Sequence, residues 1–354
     1  MSFFKDNIEA MDAYVPGDQP ADMGGVVKLN QNENPYPPSP KALAAMRKFD
    51  GASLRLYPDP MVGCFRKAAA ELMGVAEDWI LPGDGSDDLI IMIARAVAGP
   101  GRAVAYPYPT FPFYFTQGQV ENAPCIQVPA NEDFSLPLEA LAATGAAVTF
   151  VANPNSPTGA TATPDQLAWL ARQLSGLLVL DEAYVDFADQ NAAKLAIDRP
   201  NVVVLRTLSK AYSLAGLRLG FGLANPALMA GLLKTKAIYN VGPLPAAVGA
   251  AALADRKYHD RCVKLIRQQR SRLEKELAAR GLKVYPSGGN YLMVVVPSGD
   301  GRGVFEALKA RGVLVRYFNE DRLRDKLRIS VGTERENDAL LAAIDEAKVV
   351  GRRS

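Results

Sequence analysis

Three apolar runs in the middle of the chain end in polar residues: AAVTFVA leads into NPNSPTG, LLVLDEAYVDF turns acidic at Asp181, and NVVVLRTLSK stops at a lysine. Short apolar runs of this kind, the last of them mostly β-branched, read as strands buried on both faces. In open α/β sheets the ligand crevice lies at the carboxyl ends of the strands. The pattern therefore delivers Asn155, Asp181 and Lys210 to one edge. A lysine in that place is either a solvated loop cation or a desolvated nucleophile. Arg218 follows within otherwise apolar sequence. On one continuous helix it would stand about 12 Å from Lys210 along the axis. Gly216 lies between them, and an irregular turn that brings the arginine back towards the lysine is expected.

The stretch VGCFRKAAAELMGV has amphipathic spacing and ends on a glycine cap. In LPGDGSDDLIIMIARAVAGPG, Gly83 and Gly85 permit unusual backbone, and Ser86 is the expected N-cap of the apolar helix behind it. Free N–H groups at such a helix start make an anion site, although Asp87 and Asp88 would repel a phosphate that they faced. A capped helix with no ligand is the alternative. KLNQNENPYPPSP is too rich in Asn and Pro for a long regular element and predicts an ordered loop or arm. From about residue 240 the sequence changes character. A long charged helix, KYHDRCVKLIRQQRSRLEKELAARG, precedes the strands LKVYPS, NYLMVVV, GVLVRYF and KLRISVG, with one helix between NYLMVVV and GVLVRYF and another at the end. Arg316 and Arg328 stand inside two of these strand patterns, where an arginine is most often an edge residue.

The expected fold class is α/β, a large mixed, mostly parallel sheet flanked by helices, with a smaller α+β domain. An arm over 1–40 packs with the small domain in this reading. The large domain spans 41–245 and the small C-terminal domain 246–354.

Composition narrows the chemistry. The 354 residues carry 40 Lys+Arg against 38 Asp+Glu, which gives no reason to expect nucleic acid or an acidic membrane surface. The first ten residues do not read as a signal peptide, and no uninterrupted apolar run reaches the roughly 18 residues of a membrane span. Cys64, Cys125 and Cys262 are odd in number and share no metal-ligand spacing, which points to a reducing cytoplasm and to no metal. The single histidine, His259, falls in the charged stretch DRKYHDRC and reads as a solvated surface residue. Serine and cysteine mechanisms that need a histidine base are then not expected, and proton chemistry would rest on Lys, Tyr, Asp or Glu.

TLSK with GLRLGF downstream, DEAY and NPNSPTG, in that combination, resemble the pyridoxal-phosphate aminotransferases of fold type I. The chain is similar to their histidinol-phosphate aminotransferase family from about residue 10 to about 345. The resemblance implies pyridoxal 5'-phosphate as cofactor, with Lys210 its covalent anchor and proton carrier. Asp181 would keep the pyridine nitrogen protonated, and Tyr184 and Asn155 would bind the ring 3′-oxygen, with Asn153 the alternative to Asn155. Phe111 would stack on the ring. Gly85, Ser86, Asp87, Thr207, Ser209 and Arg218 would hold the phosphate, joined by Tyr57 from the partner of a homodimer with shared sites. Tyr57 in LRLYPDP otherwise marks a simple Tyr-Pro turn. Tyr14, Asn32, Asn290, Arg316 and Arg328 would bind substrate. The implied reaction takes L-histidinol phosphate and 2-oxoglutarate, a small-molecule amino donor and a 2-oxo acid, to imidazole-acetol phosphate and L-glutamate. An aromatic amino-acid aminotransferase and threonine-phosphate decarboxylase are alternatives on the same scaffold. A cofactor-free binding protein is disfavoured by the presence of Lys210, Asp181 and Arg218.

Overall fold

The computed structural model describes residues 2–13, 18–20 and 24–347. Its largest sheet has seven strands, in the order Ile80–Gly83, Gly220–Ala224, Val202–Thr207, Leu177–Asp181, Val148–Ala152, Val104–Tyr108 and Cys125–Pro129. Gly220–Ala224 pairs antiparallel with both neighbours, and the remaining neighbours pair parallel. The alternation of a strand explains why the central runs are apolar throughout. Leu178, Leu180, Val202 and Val204 enter one core, while Val179, Val203, Leu205 and Phe150 enter the other. Burying each such side chain contributes on the order of 1.5–3 kcal/mol. The polar residues that close the runs are left at the sheet's carboxyl edge.

A second, antiparallel sheet runs Arg316–Tyr317, Lys326–Ser330, Tyr291–Val295 and Lys283–Val284. It has its own core, in which Leu292, Val294, Leu327 and Ile329 meet Leu273, Leu277 and Leu340 from the helices Arg256–Ala279 and Glu334–Glu346. The expected strand GVLVRYF divides. Val313–Leu314 pairs parallel with Val27–Lys28, while Arg316–Tyr317 joins the four-stranded sheet. The chain changes sheets at the buried Val315. Among the described residues no helix is long and apolar enough to cross a membrane.

Two local expectations change. The helix Gly85–Val97 starts two residues earlier than expected, with Asp84 rather than Ser86 at its N-cap position and no side-chain cap. Ser86 therefore lies inside the first turn, and Asp88 accepts the Asp84 N–H at 3.1 Å. His259 is not solvated. It is 5% exposed, with Nδ1 2.8 Å from Asp260 Oδ1 and Nε2 3.5 Å from Asp186 Oδ1. Its charged neighbours in sequence concealed an inward position, on the same buried stripe as Cys262 and Ile266.

Beside the strand ends, Glu182 and Arg206 form a buried ion pair at 2.8 Å, with side chains 0% and 14% exposed. These residues sit next to Asp181 and Thr207, so the pair clamps two strand ends together. Arg206 keeps a weaker partner in Asp186, at 3.8 Å, so removing Glu182 leaves its charge only partly compensated, a loss of about 3 kcal/mol, the lower end for a broken buried pair. Glu182→Ala is expected to lower unfolding stability by that amount in urea titration, whereas the double variant Glu182→Ala/Arg206→Met should lose less than the sum of the two single changes. Additive losses would show that the pair is not energetically coupled.

Candidate active site

A pocket opens where the central strands end, lined by Ser86, Asp87, Phe111, Tyr114, Ser156, Asp181, Tyr184, Thr207, Ser209, Lys210 and Arg218 among others. Strand-end placement explains the set. Leu177–Asp181 carries Asp181, Val202–Thr207 carries Thr207, and Lys210 lies three residues beyond. The expected return of Arg218 is made by a single 3-10 turn, Ala215–Leu217, after which Arg218 adopts a left-handed φ of 53°.

Asp181 is 5% exposed. Its Oδ2 accepts from the Tyr114 hydroxyl at 2.8 Å and its Oδ1 from the Ala183 N–H at 3.1 Å. Burial pushes the Asp181 carboxyl up to about 6, against the pull of these two donors. Across the pocket, Lys210 Nζ donates to the Gln31 carbonyl at 2.9 Å and stands 5.6 Å from the Tyr184 ring centre. Asn34 donates to the carbonyls of Lys210 and Ala211, both at 3.1 Å, and so fixes the backbone that carries the lysine. The Tyr184 hydroxyl accepts from Asn32 Nδ2 at 3.1 Å. Burial alone would raise its phenol, but the charges of Lys210 and Arg328, with hydrogen bonds from Asn32 and Ser156, hold it below the ordinary value.

At the other end of the pocket the helix start at Gly85 meets Arg218. Gly85 has φ 75°, and a Cβ there would lie 2.5 Å from Arg218 Nη2, so only glycine admits the guanidinium. Arg218 Nη2 donates to Asp87 Oδ2 at 2.9 Å, and Nη1 to Ser209 Oγ at 3.4 Å. Thr207 Oγ1 donates in turn to Ser209 Oγ at 3.0 Å. Two hydroxyls, a guanidinium and the first N–H groups of a helix thus converge, a set of donors suited to an anion. The Asp87 carboxylate is turned onto Arg218, which removes the repulsion anticipated from its sequence position.

A wider cavity adjoins this pocket and shares Phe111, Ser156, Tyr184, Ser209, Lys210 and Arg218 with it. Arg316 and Arg328 line it and are cross-strand partners in the second sheet. Arg328 donates to Ser156 Oγ at 3.0 Å and to the Asn30 carbonyl at 2.7 Å. Phe318 lies between the two guanidiniums, with its ring centre 5.4 Å from Arg316 and 5.6 Å from Arg328.

Several expected residues are placed otherwise. Asn155 does not line the pocket. Its amide donates to Pro109 O and Thr158 Oγ1, both at 2.9 Å, and its Oδ1 accepts from Thr110 at 2.6 Å. Asn153 is likewise spent on Ala162, in both directions. Ser156 is the residue of this loop that reaches the pocket wall. Asn290 is fully buried behind Asn32 and donates to its carbonyl at 2.9 Å. Tyr57 is 82% exposed and stacks on Tyr239, away from this chain's own pocket. Tyr14 lies outside the described residues. Tyr114, Gln31 and Asn34 were not anticipated. Tyr114 sits in the aromatic run FPFYF of an ordinary helix, with nothing in sequence to single it out, whereas Asn34 lies inside the NENPY motif.

A sequence model of the family described as aminotransferase class I and II matches residues 24–344. Histidinol-phosphate aminotransferase 1 of Trichormus variabilis is 47% identical over 97% of this chain and 98% of its own length. The histidinol-phosphate aminotransferase of Citrifermentans bemidjiense is 41% identical over 98% of this chain and 99% of its own. Among solved structures, histidinol-phosphate aminotransferase from Sinorhizobium meliloti in complex with pyridoxal-5'-phosphate superimposes with a TM-score of 0.89, at 29% identity and 98% coverage of both chains. With its matched region running from the arm to the last helix, the chain belongs to the class I and II aminotransferases.

Proposed function

We propose that the protein transfers the amino group of L-histidinol phosphate to 2-oxoglutarate, giving imidazole-acetol phosphate and L-glutamate, with pyridoxal 5'-phosphate as cofactor. The observation that carries this reading is the full-length identity, up to 47%, to histidinol-phosphate aminotransferases. The donor set of the pocket fits the cofactor: a buried carboxylate for a cationic ring nitrogen, an amine opposite it, and an anion cradle of Ser209, Thr207, Arg218 and the Gly85–Ser86–Asp87 helix start.

When bound, pyridoxal phosphate supplies an electron sink for charge that develops at the donor's α-carbon. Lys210 would anchor it and would take the proton from that carbon at Nζ. Asp181 holds a cation at the pocket floor, because an opposite charge nearby favours the protonated ring nitrogen. Tyr184, kept below its ordinary pKa, presents a phenol oxygen beside Lys210. Ser156 takes the wall position first assigned to Asn155, and Phe111 forms an aromatic face. Arg316 and Arg328 bind the far anion of each substrate, the phosphate of histidinol phosphate or the side-chain carboxylate of glutamate, through planar paired donors.

A cytoplasmic homodimer with shared sites is part of the proposal. Leu54, Leu56 and Tyr57 on one segment and Ile238 and Tyr239 on another are exposed and joined by the stacking of Tyr57 on Tyr239, an apolar surface suited to a second copy.

Lys210→Ala is expected to abolish borohydride-trappable cofactor and steady-state transamination; reducible cofactor on another lysine of the purified variant would refute the anchor. Mixing Lys210→Ala with Tyr57→Phe subunits should yield hybrids with one undamaged site. Activity that never exceeds that of the Tyr57→Phe parent would count against a shared site. For specificity, single-turnover rates with histidinol phosphate and phenylalanine decide. Arg316→Ala should slow both the histidinol phosphate and the glutamate half-reactions, with a charged hydrogen bond worth about 1.5–3 kcal/mol, and Arg316→Lys should not restore them. The reading fails if phenylalanine outpaces histidinol phosphate in the wild type, or if Arg316→Ala leaves the phosphate substrate untouched.

A further inference from the structure

We propose that Tyr114 is a positioning residue for the reaction: its hydroxyl holds the Asp181 carboxylate ionised and aimed, and so sets how strongly the pocket binds a cationic ring. The proposal rests on the reading that Asp181 meets the cofactor's ring nitrogen.

The geometry is specific. Tyr114 is wholly buried, and its hydroxyl donates to Asp181 Oδ2 at 2.8 Å. The Ala183 N–H takes the other oxygen. Two donors, one on each oxygen, fix the carboxylate plane and stabilise its charge in a place where burial works against it. The ring of Tyr114 cannot swing away. It lies flat on Phe150, at 4.9 Å between centres and 6° between planes, and meets Phe111 edge-on at 5.6 Å and 90°. Phe111 is itself a pocket wall. One phenol therefore braces two surfaces of the pocket, the aromatic wall by its ring and the acidic floor by its hydroxyl.

The other groups around Asp181 cannot take over this task. Asp87 from the helix Gly85–Val97 and Glu182 on its own strand end both raise its carboxyl further. Tyr184, Lys210 and Arg218 line the same pocket, but Lys210 is held by Gln31 and Arg218 by Asp87. Tyr114 is the only side chain among the described residues that donates a hydrogen bond to Asp181 in the structure. The hydroxyl itself stays protonated at all working pH, because burial and then the Asp181 charge push it well above its ordinary value. It can only donate while Asp181 is ionised.

The sign of the pH effect follows. Loss of the donor raises the Asp181 pKa, and the anion is lost as pH falls through that value. Binding of a cationic ring should then fail at higher pH. The test uses pyridoxamine 5'-phosphate, which cannot bond Lys210, titrated against cofactor-stripped protein by fluorescence quenching from pH 5 to 9. Four proteins are compared: wild type, Tyr114→Phe, Asp181→Asn and the double variant. Asp181→Asn records the limb that belongs to the ligand's own phosphate. Tyr114→Phe, which keeps both ring contacts, should weaken binding about tenfold and move the Asp181-dependent acid limb up by about one pH unit. The double variant should match Asp181→Asn, since the hydroxyl acts through the carboxylate. In steady state kcat should fall with Tyr114→Phe while KM for the amino donor stays within about twofold. Site-directed 3-fluorotyrosine at position 114, a more acidic phenol of the same shape, should move the limb the other way. Wild-type affinity and an unmoved limb in Tyr114→Phe, or additive losses in the double variant, overturn the proposal. If instead Asp181→Asn binds as the wild type does, the assignment of Asp181 to the ring nitrogen is what fails.

Discussion

The rest of the site depends on a carboxylate buried where a strand ends. Asp181 lies deep enough that burial pushes its carboxyl up to about 6, which is a cost of placing a charge there and a reason for the pocket to favour a cation. The seven-stranded sheet makes this arrangement possible. Its parallel strands present their carboxyl ends on one edge, and a polar residue placed at that edge is held by a rigid scaffold without interrupting the apolar layers beneath. The neighbouring ion pair of Glu182 with Arg206 extends the same logic one residue further, locking the Asp181 strand to the strand that ends in Thr207.

Charge is arranged in opposition across the pocket. Asp181 and Lys210 line the same pocket, and Lys210 with Arg328 lowers the Tyr184 phenol against the effect of burial. At the helix start Asp87 is paired with Arg218, and Gly85 leaves the room that this contact requires. In the proposed reading the pocket is acidic where Asp181 stands and basic at Arg218 and at Arg316 and Arg328. An anion at each end and a cation in the middle are what such a field selects, and this matches a phosphorylated ring with a protonated nitrogen and a substrate with an anionic tail.

The sheet and its functional edge were legible because they rest on short-range rules. An apolar run followed by a polar residue marks a buried strand end, so Asp181, Lys210 and Thr207 could be placed without coordinates. Glycine between Lys210 and Arg218 announced the turn. Side-chain direction inside an irregular loop is not set by any such period. NPNSPTG, with both prolines after cis peptide bonds, sends Asn155 inward to its own loop and Ser156 to the pocket. His259 was misread for a related reason, since helical direction rather than neighbouring charge decides which residue faces the core. Tyr114 was hidden because its role is a tertiary contact between a helix and a strand 67 residues further along the chain.

The segment from Asn30 to Asn34 connects the two cores through the reacting groups. Val27–Lys28 just before it is tied to Val313–Leu314, and the Asn32 N–H is held by Ser330 from the second sheet at 2.8 Å. From that anchorage Gln31 holds the Lys210 amine, Asn34 holds the backbone of the same lysine, and Asn32 reaches the Tyr184 hydroxyl. The Asn30 carbonyl meanwhile takes Arg328. Lys210 and the Tyr184 phenol from the large sheet are thus positioned by a strand-like arm whose own place is fixed by the smaller one. A shift of the smaller sheet against the larger would carry the arm and Arg328 with it and loosen the arm's hold on Lys210 and Tyr184. In the proposed reaction the arm would make anion binding at the mouth and proton transfer at Lys210 parts of one mechanical unit, since Arg328 and Lys210 share it as a support.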